Sequence, residues 1–93
     1  MNTEELFYER YILQIFRNVL STDLKKNASG FHAETPFAAG LNLNAVELAY
    51  LYDLFEARVF FGFNAEERER LQSVRQIAQH MLNKQVMVNL EAV

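Results

Sequence analysis

The side chains of this chain with the chemistry to attack, shuttle a proton or hold a metal are two histidines, three serines and one dense run of charge. His32 and His80 carry imidazoles that titrate near neutrality and bind metals readily. They stand far apart in sequence, and the chain has no cysteine to complete a metal set. His32 falls in a loop and His80 near the end of a helix, where a cation suits the negative end of the helix dipole. A surface or capping role is therefore expected for both, and no metal. The run Glu66-Glu67-Arg68-Glu69-Arg70 places acids and arginines side by side. Adjacent helical residues point in different directions and the arginines neutralise the acids, so a solvated helix face is expected there rather than a carboxylate pair. Ser21, Ser29 and Ser73 lack a partnered base, and neither a phosphate-cradling loop nor a metal-ligand spacing is present. The chain is not expected to be an enzyme.

A second group has the chemistry of recognition. Tyr50, Tyr52, Phe55, Phe60, Phe61 and Phe63 cluster within one stretch, and aromatics bury large areas in cores and serve as interface anchors. Helical spacing puts Tyr50 and Leu54 on one stripe with Leu43, Val46, Leu51 and Phe55. It turns Tyr52 and Phe60 elsewhere, as candidates for partner contact.

Helices must position these residues. From Leu6 to Leu20 apolar side chains recur every three or four residues, which predicts a long first helix, capped by Asn2 or Thr3 and favoured at its start by Glu4 and Glu5. The period breaks between Ser21 and Gly40, where Asn27-Ala28-Ser29-Gly30 reads as a turn and Pro36 disfavours helix at Thr35. Leu24, Phe31, Phe37 and Ala38 predict that this long loop packs onto the helices. Asn44-Ala45-Val46-Glu47 has the form of a capping box, opening a second helix that runs to Ala57 or Arg58. The cluster Val59-Phe60-Phe61-Gly62-Phe63 reads as an extended piece or a tight connector. Asn64-Ala65-Glu66-Glu67 caps a short third helix through Arg70. Ser73-Val74-Arg75-Gln76 reads as a third capping box, with Val74, Ile77, Ala78, Met81 and Leu82 on one face of a fourth helix. The expected organisation is one helical domain over residues 1–85, with 86–93 a tail or a helix extension.

Composition narrows the partners. The chain has 93 residues, 51% hydrophobic and 13% aromatic, which suffices for one core and not for two. Twelve acidic and nine basic residues give a net charge of -3 with no basic stripe, so nucleic acid is not expected as a partner. The start is acidic and no apolar run reaches the length of a membrane span, so neither a leader nor a membrane anchor is expected. Absence of cysteine fits a reducing cytoplasm.

The order long helix, long packed loop, helix, short helix, helix resembles the acyl carrier protein fold, an all-α four-helix bundle. Carriers of that family open their second helix with a glycine, an aspartate, the phosphopantetheine serine and a leucine, followed by a valine, glutamate and leucine. This chain has Gly40-Leu41-Asn42-Leu43-Asn44-Ala45-Val46-Glu47-Leu48. Phe55 falls near the family's aromatic at the end of the second helix, Asn64-Ala65-Glu66-Glu67 where its third helix opens, and Ser73-Val74 resembles the threonine and valine that open the fourth. The likeness spans about Leu6 to Lys84.

The departures are equally informative. Paired from Leu43 to Leu48, the carrier serine is replaced by Asn42; paired from Gly40 and Leu41, it is deleted. Either way the hydroxyl that would attack coenzyme A is gone, and an amide is a poor substitute. The second helix keeps Glu47, Asp53 and Glu56 but is less acidic and more aromatic than is usual in the family. The resemblance is greatest to the carrier-related proteins of bacterial peptide maturation systems that lack the serine. It implies a non-catalytic docking or adaptor module without a cofactor, monomeric and cytoplasmic. Peptide-modifying or biosynthetic enzymes would meet it around Asn42, Asn44, Glu47, Tyr52, Glu56 and Phe60. The alternative is a working acyl or peptidyl carrier that uses another attachment residue or holds its ligand noncovalently.

Overall fold

The computed structural model describes residues 3–84. Among them the chain is all-helical, without strands. Helix α1 spans Thr3–Asn18 and continues through a π-helical turn, Val19–Asp23; α2 spans Phe37–Leu41, α3 Ala45–Val59, α4 Ala65–Arg70 and α5 Val74–Asn83. The expected tail, 86–93, lies outside the described residues, as does the candidate cap Asn2. Thr3, the other candidate, is already helical.

Helix α1 follows its apolar period from Ile12 onward, where Ile12, Ile15, Phe16, Val19 and Leu20 are buried at three- and four-residue intervals, while Leu6 and Phe7 in its first turns are exposed. It overshoots its expected end at Leu20. The Leu24 N–H reaches back five residues to the Val19 carbonyl at 3.1 Å, and Ser21 Oγ donates to the Arg17 carbonyl at 2.9 Å, so the last turn widens instead of stopping. Lys25 then takes a left-handed φ of 56° and the Lys26 N–H donates to the Leu20 carbonyl at 2.8 Å, which satisfies an end carbonyl and turns the chain away.

The long loop is pinned from two sides. Phe31 and Phe37 are each only 1% exposed. The Arg17 guanidinium donates to the Phe31 carbonyl at 2.6 Å and 3.1 Å. At the start of α5 the Arg75 N–H donates to the Ala33 carbonyl at 2.9 Å, and the Phe37 N–H donates to the Gln72 carbonyl at 2.8 Å. Buried loop backbone is thus paired, as burial requires. Ala38, expected inside, is exposed, because the loop ends in a short helix, α2, that turns Phe37 and, half-buried, Leu41 to the core.

Phe16 is the hub of that core. Its ring stacks on Phe55 at 4.4 Å and on Phe37 at 5.1 Å, with Phe31 at 6.4 Å, so α1, the loop and α3 meet on one side chain. Removing such a ring from water is worth about 1.5–3 kcal/mol. Helix α5 buries Val74, Ile77, Ala78 and Met81 as its period predicts, with Leu82 half-buried. It is tied to α1 by Arg75 Nε on Glu9 Oε2 at 2.9 Å.

Three local expectations are corrected. At the start of α5 the Ser73 side chain accepts from the Gln76 N–H, but Gln76 Oε1 accepts from the Gln72 N–H at 2.6 Å. The reciprocal half of the box is therefore displaced by one residue. The stripe of α3 is also different: Val46 is 78% exposed and Tyr50 46%, while Leu51, Tyr52, Phe55 and Val59 are buried. Apolar residues occupy both sides of this helix, and the neighbours decide which side faces inward. His80, expected at the surface or as a cap, has a side chain only 9% exposed, enclosed by Phe61 and Phe63 at 6.3 Å and 5.8 Å.

Candidate functional site

The site assigned by the resemblance is the turn from α2 into α3. Its first requirement is room at Gly40. A Cβ built there would overlap Thr35 Cγ2, and Thr35 is itself fixed, since its Oγ1 accepts from the His32 N–H at 2.9 Å. Only glycine lets α2 close on this methyl. Asn42 then takes the left-handed conformation, φ 53° and ψ 46°, which ends α2; after glycine, asparagine is the residue most at ease there. Its side chain is exposed and forms no hydrogen bond to the described residues. Leu43 is buried and anchors the turn.

Asn44 is the cap. Its Oδ1 accepts from the Glu47 N–H at 2.8 Å and its own N–H donates to Glu47 Oε1 at 3.1 Å, which closes the capping box. The second Glu47 oxygen meets Lys26 Nζ at 3.1 Å. The hydrogen bond at the Asn44 backbone and then Lys26 hold the Glu47 carboxyl below its ordinary range. This pairing joins the loop after α1 to the first turn of α3.

Farther along α3 the expected contact residues separate into two groups. Tyr52 is buried, 1% exposed, and its hydroxyl donates to the Leu71 carbonyl. Phe37 and Phe63 meet its ring edge-on at 5.9 Å and 5.8 Å, and burial pushes its phenol well above the ordinary value of 10.0. Tyr52 is thus a core residue that fixes the α4–α5 connection, not one that turns away from the core. Glu56 is half-buried and internally occupied: Oε2 accepts from Arg68 Nε and Nη2 at 3.0 Å and 2.8 Å, and from the Phe63 N–H at 3.2 Å. Arg68 reaches Asp53 Oδ1 at 2.7 Å as well. The charged run of α4 therefore contributes a structural pin as well as a solvated face. Its own start is a second full capping box, Asn64 with Glu67.

Phe60 remains outside. It ends α3 with φ 55° and ψ 42° and is 82% exposed. The N–H groups of Phe60 and Phe61 both donate to the Glu56 carbonyl, so helix termination holds the ring out. Val46 and Tyr50, assigned inward by spacing, join it on the surface. A sign of this was present in the sequence, since Val46, Tyr50, Asp53, Ala57 and Phe60 also fall at four- and three-residue steps.

Other grooves carry less. A groove of about 550 Å³ beside α1 is lined by Leu6, Leu13 and Ala33 together with Glu9, Glu34 and Arg75, charges already engaged with one another. His80 Nε2 lies 3.0 Å from Glu67 Oε2 but off the line of a hydrogen bond. Among the described residues no three His, Asp or Glu side chains are grouped to hold a metal ion, and no helix is long and apolar enough to cross a membrane. Comparison with protein-family models, with curated proteins and with solved structures finds no match.

Proposed function

We propose that this chain is a carrier-like helical module that has lost the attachment residue and acts in the cytoplasm as a docking or adaptor subunit for peptide-modifying or biosynthetic enzymes. In this reading α1, α3, α4 and α5 are the four helices of a carrier-type bundle, and the segment from Leu24 through α2 is its packed loop. The observation that carries the reading is the turn Gly40 to Glu47: a tight, well-capped entry into α3 with an exposed amide, Asn42, where a carrier presents its serine. In this reading Ser21, Ser29 and Ser73, which lie away from the start of α3, do not replace it. Ser21 is bound to the carbonyls of Arg17 and Asn18, Ser73 is a buried cap, and Ser29 lies in the turn after the first helix.

The surface around that turn supports docking rather than catalysis. Asn44 and Glu47 set the start of α3, Tyr52 and Glu56 set its orientation from within, and Val46, Tyr50 and Phe60 are exposed along it. The test is the intact mass of the chain after coexpression with a broad-specificity phosphopantetheinyl transferase. The parent is expected to keep its mass, while Asn42→Ser or a serine inserted after Asn42 gains the arm. Modification of the parent, or of no variant, would overturn the reading.

A further inference from the structure

Beyond the Phe16–Phe55 stack, α1 and the end of α3 flank a groove of about 380 Å³. Tyr11, Ile15 and Asn18 line it from α1, at steps of four and three that share one side of a helix, and Ala57, Arg58 and Phe60 line it from the end of α3. Ile15 is its buried floor, the short side chain of Ala57 leaves the space open, and the Phe60 ring stands at its rim, 82% exposed. Phe60 is also held in the left-handed region, a conformation that disfavours bulky side chains and clusters where a strained residue clamps a ligand or serves a site. The polar groups of the groove are donors that lack acceptors. Arg58 forms no hydrogen bond among the described residues, and its ionic neighbour there, Asp23 Oδ2, is 3.7 Å from Nη2, beyond hydrogen-bond range. Asn18 Oδ1 accepts from Gln14 Nε2 at 3.3 Å, which leaves the Asn18 amide N–H groups unpaired among the described residues.

We infer that this groove binds a small aromatic carboxylate, with its ring against Tyr11, Ile15 and Phe60 and its carboxylate on Arg58 and the Asn18 amide. The volume falls near the low end of small-molecule sites, which run from about 300 to 1,000 Å³, and admits one or two fused rings rather than a peptide. An aromatic body suits walls made of Tyr11 and Phe60. The planar guanidinium matches a carboxylate through two parallel bonds, and Asp23, the carboxylate that the fold sets beside it, stops short of forming either. A ligand acid completes what Asp23 leaves unmade, and Asp23 opposes it by like charge. The groove lies at the opposite end of α3 from Asn42, so the inference does not depend on the docking reading above.

The experiment titrates the full chain with naphthoate and with naphthamide, which share a ring system and differ in the charge of one group, at constant ionic strength. Naphthoate is expected to bind with a dissociation constant of about a millimolar or tighter, the range for a ligand of this size. It should bind about tenfold tighter than the amide, with amide shift changes confined to residues 11–23 and 57–60. Arg58→Gln should abolish the preference for the acid, and Asp23→Asn, by removing the competing carboxylate, should strengthen naphthoate binding several-fold. Ala57→Leu should fill the groove and block both probes. All three positions are exposed, and circular dichroism verifies that the variants fold. Equal affinities for acid and amide, no saturation by about 10 mM naphthoate, shift changes on another face, or a preference for the acid that survives Arg58→Gln would each overturn the inference. Tighter binding of the cationic naphthylmethylamine, or self-association of the chain that occludes Phe60, would do the same. If naphthoate fails while Asn42→Ser accepts the arm, the ligand site is wrong and the carrier reading stands. Selective naphthoate binding with no variant loaded would keep the ligand site and remove the carrier reading.

Discussion

The guanidinium carbon of Arg68 lies 5.2 Å from the centroid of the Tyr52 ring, with its nitrogens on Asp53 and Glu56. A residue from the short helix α4 thus covers the phenol face and binds two carboxylates of α3, which holds Tyr52 inward and leaves Val46 and Tyr50 on the outer side. Tyr52→Phe leaves the Leu71 carbonyl without its donor and should cost about 1–3 kcal/mol. Tyr52→Ala should cost about 3–5 kcal/mol. Urea unfolding of both variants measures this. Any loss of partner binding on changing Tyr52 should follow the fraction unfolded rather than a lost contact.

Phe60 gives the opposite expectation. Its left-handed backbone suits glycine, so Phe60→Gly should raise stability by about 0.5–1 kcal/mol through relief of that strain. The ring it removes is 82% exposed, so little buried contact is lost with it. Urea unfolding measures the difference, and a less stable glycine variant would show that contacts of the ring outweigh the strain.

Gly40 is constrained by contact, not by φ. Gly40→Ala forces its Cβ against the Thr35 methyl, an overlap of the kind that costs about 1–3 kcal/mol and outweighs the roughly 1 kcal/mol that alanine gains over glycine in a helix. Thr35→Ser deletes that methyl and keeps the oxygen that receives the His32 N–H. The double variant should therefore recover most of the loss, as a double-mutant cycle in urea would measure.

Acid should loosen the starts of α3 and α4 together. The Asn44 backbone bond and Lys26 lower the Glu47 carboxyl below its ordinary 4.5, and the Asn64 backbone bond, with His80 next among the attractive charges, lowers Glu67 in the same way. Groups with depressed folded-state values stabilise the fold above the unfolded value and lose that contribution as pH falls through the folded one. Stability should therefore decline from about pH 4.5 downward. Glu67→Gln, which keeps an acceptor oxygen but does not titrate, should lower stability at neutral pH and flatten the acid limb. Urea midpoints between pH 3 and pH 7 test the sign, and an unchanged acid slope in this variant would count against it.

The capping boxes at Asn44 and Asn64 were legible in the sequence because each is a bond between residues three apart, formed wherever a helix starts. The inward face of α5 was legible for a related reason: that helix has one apolar side, so only one side can be buried, whereas α1 has apolar residues around more of its surface and leaves Leu6 and Phe7 exposed. The packing of the loop through Phe31 and Phe37 followed from the cost of leaving two phenylalanines in water. That no serine stands between Gly40 and Leu48 is read directly from the chain.

Only the tertiary structure decided the rest. Helix α3 is apolar on both sides, so its period offers two stripes of similar merit. The choice fell to Tyr52 because Arg68, Phe37 and the Leu71 carbonyl arrive from distant segments to satisfy its ring and its hydroxyl. That choice exposed Val46 and Tyr50. His80 was buried for the same reason, by aromatic residues of the connector that periodicity within α5 does not contain. The left-handed turn at Phe60 arises because the chain must reverse from α3 into α4 while Glu56 holds the Phe63 N–H, a constraint set between elements. Local hydrogen bonds and one-sided patterns can be read along the chain; which of two apolar faces is wet depends on what the remainder of the fold brings against it.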